Sequence, residues 1–397
     1  MTIGILGGGQ LGYMLALAGY PLGLHFRFLD PSPEAPVGRI ASRITAQYDD
    51  RSALKKFAAG LELVTYEFEN VPVEAARFLA EHVPVLPPPA ALEAAQDRLN
   101  EKRLFQKLGI ATTDFAEVGD QEALNGAVKQ IGLPAILKTC RMGYDGKGQW
   151  ILRSPEDVAR AKSELPVANA SAEKRAGGEK AEQNAPFLLE SLVAFTRELS
   201  VLAVRGRTGE TAFYPLVENH HRGGILRLSL APAPQLDRAV QQAAEDAARR
   251  VFDTLQYVGV LAIEFFEHQG RLLANEMAPR VHNSGHWTIE GAVTSQFENH
   301  LRAVVGLPLG STSAIGCSAM LNLIGDVPDP AEVLGVRDAH LHLYGKSARA
   351  GRKLGHVTLR ASSPEQLASR LGELPGYFHR PEFGLDAVLW HSASARR

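Results

Sequence analysis

Cysteine is nearly missing from these 397 residues. The two that occur, Cys140 and Cys317, stand far apart, which excludes a disulfide framework and a cysteine-based zinc site. Charge of one sign is not in excess either: 42 Lys and Arg face 44 Asp and Glu, a net of −2. That excludes a protein that holds nucleic acid through a general basic field, but not a local basic pocket for a phosphorylated small molecule. No apolar run reaches the roughly 18 residues of a membrane-spanning helix. Residues 1–24 lack Asp, Glu, Lys and Arg, but they also lack a basic leader region and are interrupted by glycines. They do not read as a signal peptide, and a cytoplasmic protein is expected. What remains is ordinary globular composition, 45% hydrophobic and 22% charged, long enough for two or three domains.

The chain opens as strand, tight turn and helix: Ile3–Leu6, then Gly7-Gly8-Gly9-Gln10-Leu11-Gly12, then Tyr13–Ala18. Further apolar runs at Leu24–Leu29 and Leu61–Tyr66 predict a parallel sheet alternating with helices. Pro87-Pro88-Pro89 marks a boundary. Ala90–Leu108 reads as one helix, and Ile136–Lys138, Gln149–Leu152, Phe187–Glu190 and Leu199–Val204 as strands. Residues 163–186 carry almost no large apolar side chains and read as a mobile surface insertion. Gln235–Leu255 is a helix, Gly259–Met277 a hairpin, and short β-like runs follow from about Ser311. The expected organisation is a Rossmann-like domain over 1–89, a central domain over 90–310 and a C-terminal β-rich domain over 311–397.

The first glycine cluster fits G-x-G-x-x-G, with Asp30 where a ribose-binding carboxylate would stand. Such glycines let the backbone approach an anion at a helix N-terminus; a plain strand-to-helix turn is the alternative. The second cluster, Gly143 to Gly148, is not a Walker A loop, because Gln149-Trp150 follows it. Between two strands it can fold over phosphates, with Lys138 adding a point charge. The third constellation pairs Glu264 and Glu276 on a hairpin. With His268-Gln269-Gly270 as a three-residue loop, pairing centres on Gln269, and the two carboxylates share a sheet face as diagonal neighbours. Mg²⁺ suits such a pair, being held by one or two carboxylates plus substrate phosphates; a solvated acidic face is the alternative. Beyond it, Arg280, His282 and Asn283 form a donor set for a small oxyanion. His282 and His286 lie four apart but lack the glutamate of H-E-x-x-H, so zinc is not expected. His340 and His342 share a strand face and read as structural.

Taken together these residues resemble the ATP-grasp enzymes, and more narrowly the N5-carboxyaminoimidazole ribonucleotide synthetases of purine biosynthesis. The likeness spans essentially the whole chain. Its carriers are the opening glycines, Thr65-Tyr66-Glu67-Phe68-Glu69-Asn70, Asp97-Arg98-Leu99, Gly143–Gln149, the run from Asn275 to Trp287, and Gly351-Arg352-Lys353-Leu354-Gly355-His356. The resemblance implies an α/β ATP-grasp fold, α+β in its central part, with an N-terminal Rossmann-like domain and a small C-terminal domain. It implies a ligase that carboxylates 5-aminoimidazole ribonucleotide with bicarbonate, giving ADP and phosphate through carboxyphosphate.

The resemblance also assigns residues. ATP would be held by Arg98, Lys138, the loop Gly143, Tyr144, Asp145, Gly146, Lys147, Gly148 and Gln149, by Glu190, Ser191, Leu192 and Val193 at the adenine edge, by Glu198 at the ribose, and by His221, Asn275 and Glu276. Mg²⁺, with Mn²⁺ as a substitute, would sit on Glu264 and Glu276. Gln10, Leu11, Glu69, Tyr144, Asp145, Lys346, Arg352 and Lys353 would line the ribonucleotide site. Arg280, His282, Asn283 and Lys353 would be catalytic, the first three near bicarbonate. The opening glycines would grip the ribonucleotide phosphate through backbone N–H groups, and the loop bearing Tyr144 and Asp145 would act as a lid. Partners would be these small molecules and a second copy of the chain, with neither nucleic acid nor membrane. Cys140 and Met142 depart from the family pattern, as does the length of the 163–186 insertion. A formate-dependent ribonucleotide transformylase is the nearest rival. An NAD-dependent oxidoreductase would use the first motif and Asp30 but leave the Glu264/Glu276 hairpin and the second glycine loop without a role. A non-catalytic binding protein would have no need of paired metal carboxylates.

Overall fold

The computed structural model describes residues 1–141, 148–165 and 186–385. It divides into two compact units. The larger comprises Met1–Leu92, Arg197–Glu264 and the chain from Met277; the smaller comprises the described parts of Glu93–Thr196 together with Phe265–Glu276.

The larger unit begins with a four-stranded parallel sheet, ordered Ser42–Thr45, His25–Asp30, Thr2–Leu6, Leu63–Tyr66. Three of its strands are apolar on both faces, as a parallel sheet covered by helices requires: Ile3, Ile5, Leu6, Phe28, Leu29, Leu63 and Val64 are fully buried. The helix Gln10–Gly19 follows the first strand and packs on the helix Gln296–Val305. The larger, mainly antiparallel sheet runs through Arg197–Arg205, Val217–Arg222, Ile225–Ala231, Cys317–Ile324, Lys353–Ala361 and Ala339–Leu343. Among the described residues no helix is long and apolar enough to cross a membrane.

The smaller unit holds a four-stranded antiparallel sheet, ordered Phe115–Val118, Phe187–Ser191, Ala135–Thr139, Gln149–Leu152. The amphipathic helices Gln121–Ile131 and Pro155–Glu164 cover it, burying Leu124, Ala127 and Ala161 against Val118, Leu137, Leu152 and Leu189.

Several local expectations are corrected. The single helix over Ala90–Leu108 is two, Pro89–Ala95 and Arg98–Lys107. Asp97 breaks it by turning extended and capping the second helix through the N–H groups of Leu99 and Asn100. Pro89 opens a helix, where its missing N–H costs nothing. The helix expected from Gln235 starts at Arg238, after the cap Asp237. The helix ending at Glu164 takes the first residues of the expected insertion; residues 166–185 lie outside the described chain. The hairpin strands end at His268 and resume at Arg271, leaving Gln269 and Gly270 as a two-residue turn with φ of 50° and 72°. Positive φ at both positions matches the strand twist, so the pairing centre is not Gln269 and the register counted from it does not hold.

His300 illustrates how burial sets proton balance in the larger unit. It is fully buried, accepts the Val260 N–H at Nδ1 and donates from Nε2 to the Thr65 hydroxyl, which leaves no place for a second proton. Burial pushes its pKa down to about 4. Unfolded, an imidazole takes up its proton below about 6.5. Between those values the unfolded state binds the extra proton, so stability falls as pH is lowered from 6.5 to 4, by about 1.4 kcal/mol per pH unit. Below 4 this contribution no longer changes. Urea midpoints of His300→Gln are therefore expected to show a shallower acid slope than wild type; an unchanged slope would show that the ring is not neutral in the fold.

Candidate functional site

In the smaller unit a buried charge cluster forms where two strands meet the helix Arg98–Lys107. Glu190 pairs with Ile136 across the sheet, two residues along from Lys138. The Lys138 ammonium donates to Glu190 Oε2 at 2.7 Å, and the Lys102 ammonium lies 3.3 Å from Oε1. Lys102 also donates to the carbonyl of Ala274 at 3.1 Å. Burial alone would raise the Glu190 pKa, but the two lysines overcome it and hold the carboxyl down at about 2. Burial lowers the pKa of Lys102. Beside the cluster, Arg98 donates from Nη1 to Glu276 Oε2 at 2.9 Å. Among the described residues the buried side-chain oxygen of Asn275 meets no hydrogen-bond partner. Ser191 and Leu192 are held by main-chain bonds to Asp114 and Pro134. Gly148 and Gln149 pair against Thr139 and Lys138, whereas Gly143, Tyr144, Asp145, Gly146 and Lys147 lie outside the described residues.

In the larger unit the opening turn corrects one expectation. The N–H groups assigned to a phosphate are taken by the protein's own carboxylates: Gly8 donates to Asp30 Oδ2 at 2.6 Å, Gly12 to Glu67 Oε2 at 2.8 Å, and Gly9 to Glu67 Oε1. A helix N-terminus attracts such anions. The glycines make room for them, since a Cβ on Gly7 would lie 2.6 Å from Glu67 Cγ. Asp30 is thus a cap for the turn rather than a ribose ligand. Burial raises the Glu67 pKa, against these N–H bonds. Leu11 faces the core, while Gln10 accepts from the Lys346 ammonium.

The donor run after the hairpin is held residue by residue. Arg280 Nε donates to Glu69. Asn283 exchanges amide hydrogen bonds with buried Asn322 at 3.0 and 2.8 Å. Gln296 clamps the His282 main chain from both sides, accepting from its N–H at 2.9 Å and donating to its carbonyl at 2.6 Å. His282 Nε2 stands 3.7 Å from Glu264 Oε1. Burial and the nearby Arg280 and Lys353 cations push the His282 pKa down to about 3. His221 Nδ1 pairs with Glu198 Oε2 at 2.8 Å. Burial disfavours its imidazolium, yet Glu198 and Glu264 more than offset this and raise its pKa. Arg352 bonds Ser347. Lys353 opens the strand Lys353–Ala361. His342 pairs with Glu290 and stacks on buried His356, consistent with a structural part.

The structure therefore joins Gln10 with Lys346, Glu69 with Arg280, Glu198 with His221, Lys138 with Glu190 and Arg98 with Glu276. Sequence reasoning missed Glu67, Lys102, Asn322 and Gln296. Only Glu67 left a signal, as a member of the run Thr65–Asn70. Glu264 and Glu276 supply hard carboxylate oxygens of the kind Mg²⁺ takes. Among the described residues no group of three or more His, Cys, Asp or Glu is arranged to hold a metal ion.

Comparison with known proteins bears on the whole chain. Residues 1–96 match the ribonucleotide synthetase preATP-grasp domain, 103–297 the ATP-grasp domain, and 318–370 the phosphoribosylaminoimidazole carboxylase C-terminal domain. An N5-carboxyaminoimidazole ribonucleotide synthase of Pseudomonas aeruginosa is 54% identical over 94% of this chain and 98% of its own. The crystal structure of the Thermus thermophilus synthetase superposes with a TM-score of 0.86 at 58% identity, covering 94% of this chain and 97% of that one. The Aspergillus clavatus enzyme, solved with ADP and 5-aminoimidazole ribonucleotide, superposes at 0.83 and 29% identity over 98% of both chains. Three consecutive domain matches, near-complete coverage and the held Arg280–Asn283 run agree, and the chain belongs to the N5-carboxyaminoimidazole ribonucleotide synthases, ATP-grasp ligases of purine biosynthesis.

Proposed function

We propose the following division of labour for the ATP-dependent carboxylation of 5-aminoimidazole ribonucleotide. In the smaller unit, Arg98 and Lys138 neutralise the nucleotide phosphates, Glu190–Val193 read the adenine edge, and Asn275 with the loop 143–149 completes the nucleotide contacts. In the larger unit, Glu198 with His221 takes the ribose. Gln10, Leu11, Glu69, Lys346, Arg352 and Lys353 serve the ribonucleotide, joined by Tyr144 and Asp145. Arg280, His282 and Asn283 receive bicarbonate. Glu264 and Glu276 are the carboxylates given to Mg²⁺, which when bound neutralises charge on the transferring phosphoryl group.

The observation that carries this reading is the Arg280–Asn283 run. Its guanidinium, imidazole and amide are each fixed by a different partner, Glu69, Ser284 and Asn322. Such a preorganised donor set suits a planar oxyanion. Bicarbonate is a poor electrophile, and phosphorylation by ATP to carboxyphosphate makes its carbon attackable by the substrate amine. That mixed anhydride hydrolyses readily, so the chemistry needs a site that excludes water. The surroundings are expected to be cytoplasmic, the assembly a homodimer, and the partners free of nucleic acid.

The test is coupled ADP release. It is expected to require both bicarbonate and 5-aminoimidazole ribonucleotide. Stimulation by formate and glycinamide ribonucleotide in their place would overturn the assignment in favour of a transformylase.

A further inference from the structure

We propose that Ser284, Ser200 and Asn219 are positioning residues that lock His282 in one tautomer, with its hydrogen on Nε2, so that the ring offers the bound oxyanion a donor and not a base. This rests on the reading of His282 as a bicarbonate-side residue and adds to it a proton arrangement and three residues outside the assigned set.

The argument is one of donors and acceptors along a buried chain. Ser200, Asn219, Ser229 and Ser284 are each 4% exposed or less. The Ser229 hydroxyl donates to Asn219 Oδ1 at 2.7 Å, and the Asn219 amide donates to Ser200 Oγ at 2.9 Å. Ser200 donates to Ser284 Oγ at 2.8 Å, and Ser284 Oγ lies 2.8 Å from His282 Nδ1. Each hydroxyl has a single hydrogen. A hydroxyl can also accept twice, so the Asn219 amide fills one lone pair on Ser200 and is compatible with one order: Ser200 gives its hydrogen to Ser284, and Ser284 gives its own to His282 Nδ1.

The far end of the chain fixes that order. The backbone N–H of Ser284 also points at His282 Nδ1, at 3.4 Å. A backbone N–H only donates, so Nδ1 is an acceptor and the hydrogen sits on Nε2. The reverse order would drive an Nδ1–H against that N–H. Among the described residues none hydrogen-bonds His282 Nε2, and Glu264 at 3.7 Å is beyond hydrogen-bond length. The His282 side chain as a whole is 14% exposed. With the main chain clamped by Gln296, the imidazole can neither rotate nor change tautomer without breaking a buried bond. A neutral Nε2–H stabilises negative charge building on a carboxyphosphate or bicarbonate oxygen without moving a proton.

The test is ¹⁵N NMR of the full-length protein labelled at histidine, with the His282 signals assigned by their loss in His282→Asn. Wild type is expected to show an unprotonated Nδ1 and a protonated Nε2. Ser284→Ala keeps the long backbone N–H contact to Nδ1 but loses the hydroxyl, so it should raise the fraction of the other tautomer without inverting the equilibrium and lower kcat roughly 10-fold, within the scale on which a misplaced group costs turnover, with the ATP KM within about twofold. Ser284→Thr, which keeps the hydroxyl, should recover most of both. Ser200→Ala, which never touches His282, should shift the tautomer in the same sense with a smaller loss, and it keeps the test open if Ser284→Ala does not fold. An Nδ1–H signal in wild type, or an unchanged tautomer and kcat in the alanine variants, overturns the proposal. A His282→Asn variant with wild-type turnover instead overturns the bicarbonate-side reading beneath it, so the two failures are told apart.

Discussion

Glu276→Gln is expected to lower ADP release by about 10³-fold, roughly 4 kcal/mol of transition-state stabilisation, while the protein stays folded. The two halves of that statement have separate causes. Glutamine has the same shape as glutamate and keeps an oxygen that accepts from Arg98 Nη1, the bond seen at 2.9 Å. The side chain is 39% exposed, so its burial contributes little to stability. What glutamine removes is the negative charge, and a hard dication gains far less from an amide oxygen than from a carboxylate. The thermal midpoint without Mg²⁺ should match wild type. The Mg²⁺-dependent rise in that midpoint in the presence of ATP should shrink. Wild-type turnover of the variant at saturating Mg²⁺ would show that Glu276 does not hold the metal. Arg98→Met is a useful contrast, because it removes the partner of Glu276 without touching any carboxylate.

How much of this was legible beforehand depends on the distance over which each contact acts. The parallel sheet was readable because its strands are buried on both faces and so appear as unbroken apolar runs, as at Ile3–Leu6 and Leu63–Tyr66. The donor run Arg280–Asn283 was readable because its polar residues are contiguous. The occupants of the opening turn were not. Gly12 meets Glu67 across 55 residues and Gly8 meets Asp30 across 22. A motif read locally shows N–H groups on offer but not what takes them. The break at Asp97 was missed because helical periodicity outweighed a capping signal in the middle of a polar stretch. The hairpin register was missed because Gln269 adopts positive φ, which glycine does more readily. Lys102 was hidden most completely. The helix Arg98–Lys107 is strongly polar and reads as solvated, yet it buries Leu99, Glu101, Lys102 and Phe105. Only the strand carrying Glu190, 88 residues further on, explains a lysine there.

That lysine carries the second large effect. Lys102→Met is expected to cost about 3 kcal/mol or more, because removing one member of a buried ion pair leaves its partner's charge undercompensated. Lys102 is 1% exposed and Glu190 2%. Glu190→Gln should be comparably harmful, leaving two buried ammonium groups facing one neutral amide. If the loss comes from the pairing, Lys102→Met with Glu190→Gln should cost at least about 1 kcal/mol less than the sum of the single changes. Additive losses in urea unfolding would mean the lysine matters only for packing. The pairing also bears on ATP. Glu190 is shared between Lys102, which is anchored to the Ala274 carbonyl, and Lys138, which is assigned to the phosphates. Lys138 can turn to a nucleotide only if Glu190 keeps another countercharge. Without Lys102, Lys138 becomes the one cation at ion-pair distance from Glu190 among the described residues and is held back. The KM for ATP should then rise roughly tenfold in Lys102→Met, the equivalent of about 1.4 kcal/mol, and fall back when Glu190→Gln is added. An ATP KM that stays at the wild-type value in the folded single variant would show that Lys138 does not depend on Lys102 for its release.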